Sequence, residues 1–76
     1  MTLDQLNIGQ TAVITGIDGD GPLIQRLMAL GLLEGEQVVV IRRAIGGDPL
    51  EIETMGYSLS LRQTEAVQVR VSPQDG

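Results

Sequence analysis

The sequence predicts a mainly β domain: a small barrel of about five short strands, with one helix lying across an open end. Three observations carry this. Apolar residues alternate in short runs bounded by turn residues, as at Leu50–Thr54, Tyr57–Arg62 and Val67–Val71. One stretch has helical spacing: Leu23–Gly35, reading LIQRLMALGLLEG, with Leu23, Leu27 and Leu30 at i, i+4 and i+7. The chain has 76 residues, no Cys, no His and a single aromatic, Tyr57, so stability must come from aliphatic packing in one domain. A barrel is favoured over a sandwich because closure removes exposed edges.

In order, Thr2 is placed to cap a helical turn through Leu3, Asp4 and Gln5, with Leu3 and Leu6 as inward anchors. Gln10–Ile17 reads as the first strand. Strict alternation from Ala12 and Ile14 would bury Gly16 and expose Ile17, so a bulge or bend is expected near Thr15–Gly16. Asp18–Pro22 is a loop, with Asp20 or Gly21 capping the helix and Pro22 in its first turn. The helix runs from Pro22 to Leu30. Gly31 stands where a C-cap wants positive φ, and Leu32 follows as an apolar contact back onto the last turn. The turn at Gly35 leads into Gln37–Arg43, where Val38, Val39, Val40 and Ile41 imply a strand covered on both faces. Ile45–Pro49 is a loop. Leu50–Thr54 and Tyr57–Arg62 form a hairpin turning at Met55-Gly56, with Leu50, Ile52, Tyr57, Leu59 and Leu61 inward. Gln63–Ala66 is a connector, read as a helical turn capped by Thr64, before a last strand of Val67, Val69 and Val71. The domain is expected to fill residues 1–76, with its core over about 3–71 and a flexible polar tail over 72–76.

Ten acidic residues against five arginines and no lysine give a net charge of −5, a poor match to a phosphate backbone, so no nucleic-acid partner is expected. No basic leader and no apolar run of about 20 residues is present, which predicts a cytoplasmic protein without direct membrane insertion.

Catalysis has little to work with. Without His or Cys, a nucleophile and base would come from Ser, Thr, Asp, Glu or Tyr, and none stands in a recognisable nucleophile setting. Gly19-Asp20-Gly21 has neither the third glycine of a dinucleotide loop nor a following Lys-Ser/Thr pair. Asp18-Gly19-Asp20-Gly21 resembles the opening of a calcium loop, but Pro22 and Ala29 occupy the later ligand positions. The pairs Glu34/Glu36 and Glu51/Glu53 are left as weak divalent-metal sites on the surface, and no cofactor is expected. The candidate for function is a protein-binding surface. Ile24 and Met28 lie off the Leu23–Leu27–Leu30 face; they either pack under the loop after the first strand or form an exposed apolar patch rimmed by Arg26.

Four segments carry a family resemblance: Arg26-Leu27-x-x-Leu30-Gly31-Leu32-x-x-Gly35, Gly47-Asp48-Pro49-Leu50, Ser58-Leu59-x-Leu61-Arg62, and Val67-x-Val69-x-Val71. In this order the chain resembles the FeoA family of bacterial ferrous-iron uptake, from about Leu6 to Val71. Glu34 departs from the pattern, standing where the family often has proline. The resemblance implies an SH3-like β-barrel with the helix inserted between the first two strands. It also implies a non-enzymatic role in ferrous-iron import, with the membrane permease FeoB, whose cytoplasmic part is a GTPase, as the partner. Ile24, Arg26, Met28 and Leu33 are the residues expected to make that contact, while Leu23, Leu27, Leu30, Gly31, Leu32 and Gly35 are structural. The alternative is a small regulatory barrel that binds a divalent metal or a repressor-like partner.

Overall fold

The computed structural model describes residues 1–19 and 21–74. Five strands, β1 (Thr11–Ile17), β2 (Gln37–Arg43), β3 (Leu50–Thr54), β4 (Tyr57–Leu61) and β5 (Val69–Pro73), form one antiparallel sheet in the order β4-β3-β2-β1-β5. Helix α1 (Pro22–Ala29) is inserted between β1 and β2, and one helical turn, α2 (Gln63–Ala66), links β4 to β5. The curled sheet encloses Ala12, Ile14, Val38, Val40, Leu50, Ile52, Leu61, Val69 and Val71. Leu3 and Leu6 fill the core from the 3-10 turn Leu3–Gln5, as their spacing predicts, and Leu27 and Leu32 fill it from α1 and the turn beyond.

Local signals account for most of these elements. The register between β1 and β5 shifts between Ile14 and Gly16, which is the expected bulge, and it lets Ile17 pack against the core. Met55 and Gly56, both at positive φ (52° and 83°), make the two-residue turn whose twist matches the β3–β4 hairpin. The helix stop is a complete Schellman motif. Gly31 takes φ 95° and donates its N–H to Met28 O (3.0 Å), while Leu32 donates to Leu27 O (3.1 Å). The two leucines joined by that bond are both fully buried. Gly35 N–H then bonds Ile14 O (2.8 Å) and Ile14 N–H bonds Glu36 O (2.9 Å), which lays the start of β2 beside β1.

Several expectations are corrected. Leu30 is the C-cap residue rather than part of the helix body, and it is only half-buried, because the Schellman turn directs Leu32 into the place next to Leu27. Tyr57 is exposed, its ring reaching out of the barrel so that the hydroxyl donates to Leu30 O. β2 is central, but only Val38 and Val40 are fully buried; Val39 and Ile41 are half-buried on the outer face. Val67 is exposed and precedes the last strand, because the helical turn of α2 consumes the residues before Val69. β5 continues through Ser72 and Pro73, which pair with Val13 and Ala12, so the described part of the tail belongs to the sheet; Asp75 and Gly76 lie outside the described residues. Gly21 is the N-cap of α1, and Asp20 lies outside the described residues. Arg62, not Thr64, occupies the N-cap of α2 and receives Glu65 Oε1 on its own N–H (2.8 Å).

Gly31 combines positive φ with close neighbours on the side where a side chain would stand. A Cβ there would run into the Met55 methyl and the Tyr57 hydroxyl, in a backbone conformation that L-residues avoid. Gly31→Ala is expected to cost about 1–3 kcal/mol. For a domain of this size each 1 kcal/mol lowers Tm by about 4–8 °C, and a thermal melt followed by circular dichroism reads it.

Candidate functional site

The face of α1 turned away from the core carries the candidate surface. Ile24 and Met28 are four residues apart and stack on one side. Between them and the end of β1 runs a groove of about 190 Å³, lined by Gly16, Ile17, Ile24, Met28, Leu33 and Glu34, with Leu32 at its floor. The two open alternatives for Ile24 and Met28 are both partly realised. Ile24 is half-buried beside Gly19 in the loop after β1, whereas Met28 and Leu33 are exposed, at 50% and 42%. The structure thus brings Ile24, Met28 and Leu33 together on one apolar groove.

Arg26 does not rim this groove. Two residues on from Ile24 it points about 200° around the helix, and its guanidinium binds the carboxylate of Glu65 on α2. Glu65 is buried and also accepts the Arg62 N–H, so this ion pair fastens α1 to α2. Charge alone in the sequence could not reveal it, since Arg26 and Glu65 lie 39 positions apart.

The remaining arginines are also engaged within the molecule. Arg42 pairs with Glu51 (2.9 Å), Arg70 with Asp18 (2.8 Å) and Arg62 with Asp48 (4.0 Å). Arg43 donates to the carbonyls of Asp4 and Leu6, holding the N-terminal turn on β2. With all five arginines in use, Glu34, Glu36 and Glu53 carry no ion pair among the described residues. Glu34 lies directly on the groove. Its surroundings therefore combine an apolar floor with unneutralised negative charge.

A second, more open concavity of about 470 Å³ lies on the outer face of the sheet, among Glu36, Gln37, Val39, Glu53, Thr54 and Met55. The Thr54 hydroxyl donates to Gln37 O (2.9 Å). Among the described residues no three metal-ligating side chains converge, and Glu51 is held by Arg42. No helix among them is long and apolar enough to cross a membrane.

Comparison with known proteins agrees with this architecture. The model of the FeoA domain family matches residues 1–73. A Porphyromonas gingivalis protein described as an Fe(2+) transport protein A/Fe(2+) transporter FeoB fusion is 32% identical over 71 residues, covering 93% of this chain. This chain spans only 8% of that relative's length. The solution structure of FeoA from Chlorobium tepidum superposes with a TM-score of 0.91 at 36% identity, covering 100% of this chain and 72% of that one. FeoA from Stenotrophomonas maltophilia, crystallised with zinc and described as a prokaryotic SH3-domain protein, gives 0.84 at 30% identity, covering 95% of this chain and 89% of that one.

Removing the Arg26 guanidinium should leave the Glu65 carboxylate buried with a backbone N–H as its remaining partner. Arg26→Ala is expected to destabilise the chain by about 1–3 kcal/mol, seen as a lower urea midpoint with an unchanged m-value.

Proposed function

The chain belongs to the FeoA family, and from that premise we propose that it is a non-enzymatic, cytoplasmic accessory of ferrous-iron import that docks on the GTPase part of a FeoB-type permease. The fused relative carries this reading. Its FeoA-like segment is tied covalently to a ferrous-iron transporter, and such a tether holds two units together at high effective concentration. We assign the meeting of the two to a surface of this domain.

The groove at Ile24, Met28 and Leu33 has the chemistry for that. Met28 is unbranched and exposed, so it adapts to an incoming side chain, and Ile24 and Leu33 supply firmer apolar walls. Glu34 at the edge favours a partner with Lys or Arg beside its apolar anchor. Arg26, held by Glu65, is outside this contact and serves the fold.

The test is a binding titration of the permease's cytoplasmic domain with this protein. Ile24→Asp/Met28→Asp is expected to weaken binding at least tenfold, about 1.4 kcal/mol, while the circular dichroism spectrum stays that of a folded domain. Undiminished affinity would remove the groove as the docking surface. Calorimetry with Mn²⁺ or Zn²⁺ separates this from the metal-binding alternative. Heat is expected only at roughly millimolar metal, the weakest class of carboxylate site, and sub-micromolar binding would favour a metal sensor.

A further inference from the structure

The two edges of the sheet are treated differently. On β5, Thr2 pairs with Arg70, and Val71 N–H donates to Met1 O (2.9 Å), so the N-terminal residues cover that edge. β5 also carries a charge at Arg70 and ends on Pro73, two features that discourage strand addition. β4, reading Tyr-Ser-Leu-Ser-Leu, has no charge and no proline, and its register with β3 runs without a bulge.

The hairpin turn decides which β4 groups face outward. Tyr57, closing the two-residue turn opposite Thr54, exchanges hydrogen bonds with β3, and alternation assigns the same role to Leu59 and Leu61. Ser58 and Ser60 therefore aim their backbone N–H and C=O away from the sheet. No hydrogen bond outside the ladder reaches these groups among the described residues, and both serines are exposed.

We propose that β4 is a pairing edge for a second copy of this chain, added antiparallel about a two-fold axis at Leu59. The occupant follows from the strand's own symmetry. An axis at Leu59 sets Ser58 opposite Ser60 of the partner subunit at both positions, where outward-facing backbone groups meet, and because β4 is uncharged in a chain of net charge −5, self-pairing opposes no like charges on the strand. The same register sets half-buried Leu59 against its own counterpart and covers both. The nearest carboxylates, Glu51 and Glu53, stand on β3 opposite Ser60 and Ser58. Across the axis they are three strand spacings from their counterparts, about 14 Å, beyond the screening length of about 8 Å at physiological salt. Five residues a side is far below the roughly 20–30 of a standard interface, so the dimer is weak and forms where the chain is concentrated. With a charge of −5 on each copy, salt strengthens it. The edge shares no residue with the groove at Ile24, Met28 and Leu33, so this contact stands or falls apart from permease docking.

The absence of cysteine in the chain gives a direct test of the register. Residues facing each other at a non-hydrogen-bonded position have Cα atoms about 4.5 Å apart, within disulfide range. Air oxidation of Leu59→Cys is expected to give a disulfide-linked dimer at least tenfold faster than Ser58→Cys, whose counterparts are offset across the axis. Equal rates, or faster crosslinking of Ser58→Cys, would overturn the proposal. Hydrogen exchange on the unaltered chain is an independent measure. The Ser58 and Ser60 amides are expected to exchange at least twofold more slowly at about 1 mM than at about 10 µM protein, and more slowly again at higher salt. Rates independent of concentration would sink it.

Discussion

The left-handed stop at Gly31 is the constraint from which the rest of the molecule hangs. An eight-residue helix is too short to hold itself together in water, and α1 is kept by what its last turn does. The Schellman bonds bring Leu27 and Leu32, five positions apart, side by side into the barrel. Because residue 31 has no side chain, the β3–β4 hairpin can rest Met55 and Tyr57 on the same turn, with the Tyr57 hydroxyl bonding the Leu30 carbonyl that the helix leaves free. A few residues later Gly35 and Glu36 clasp Ile14, and β2 starts in register beside β1. One backbone reversal thus covers the core, anchors a hairpin and sets a strand pair.

The segments that carry the family resemblance turn out to be physical partners. Leu50 faces Leu61 in the β3–β4 ladder, where Gly47-Asp48-Pro49-Leu50 meets Ser58-Leu59-x-Leu61-Arg62. Just beyond, Asp48 accepts the Gln63 N–H at the start of α2 (3.1 Å) and faces the Arg62 guanidinium. An acceptor from a distant loop therefore satisfies a free amide of a helical turn that no side chain of its own N-cap serves. These two segments maintain the barrel, and neither contributes to the groove beside α1.

Charge is divided along the same line. The five arginines are all held within the fold, bridging α1 to α2, β2 to β3, β1 to β5 and the N-terminal turn to β2. Several of these pairs are exposed and individually contribute little. Their collective consequence is that the unpaired charge beside the groove is negative.

Features that depend on near neighbours could be read along the chain. The alternation of β3, the Met55-Gly56 turn, the bulge in β1, the inward anchors Leu3 and Leu6, and the Leu27-Gly31-Leu32 stop were all legible, because backbone sterics and side-chain period act within about five residues. The candidate site was half legible: Ile24 and Met28 stood out as apolar residues off the helix's core face, while the groove that joins them to Leu33 depends on where the end of β1 lies. Only the tertiary structure decided that Arg26 belongs to Glu65, that Leu30 yields its core place to Leu32, that Tyr57 reaches outward to the helix end, and that Val67 falls before the last strand. Each of those outcomes turns on which remote segment arrives beside the residue. Periodicity says which side of an element is apolar, but the partner across the gap sets whether that side is buried, bonded or left open.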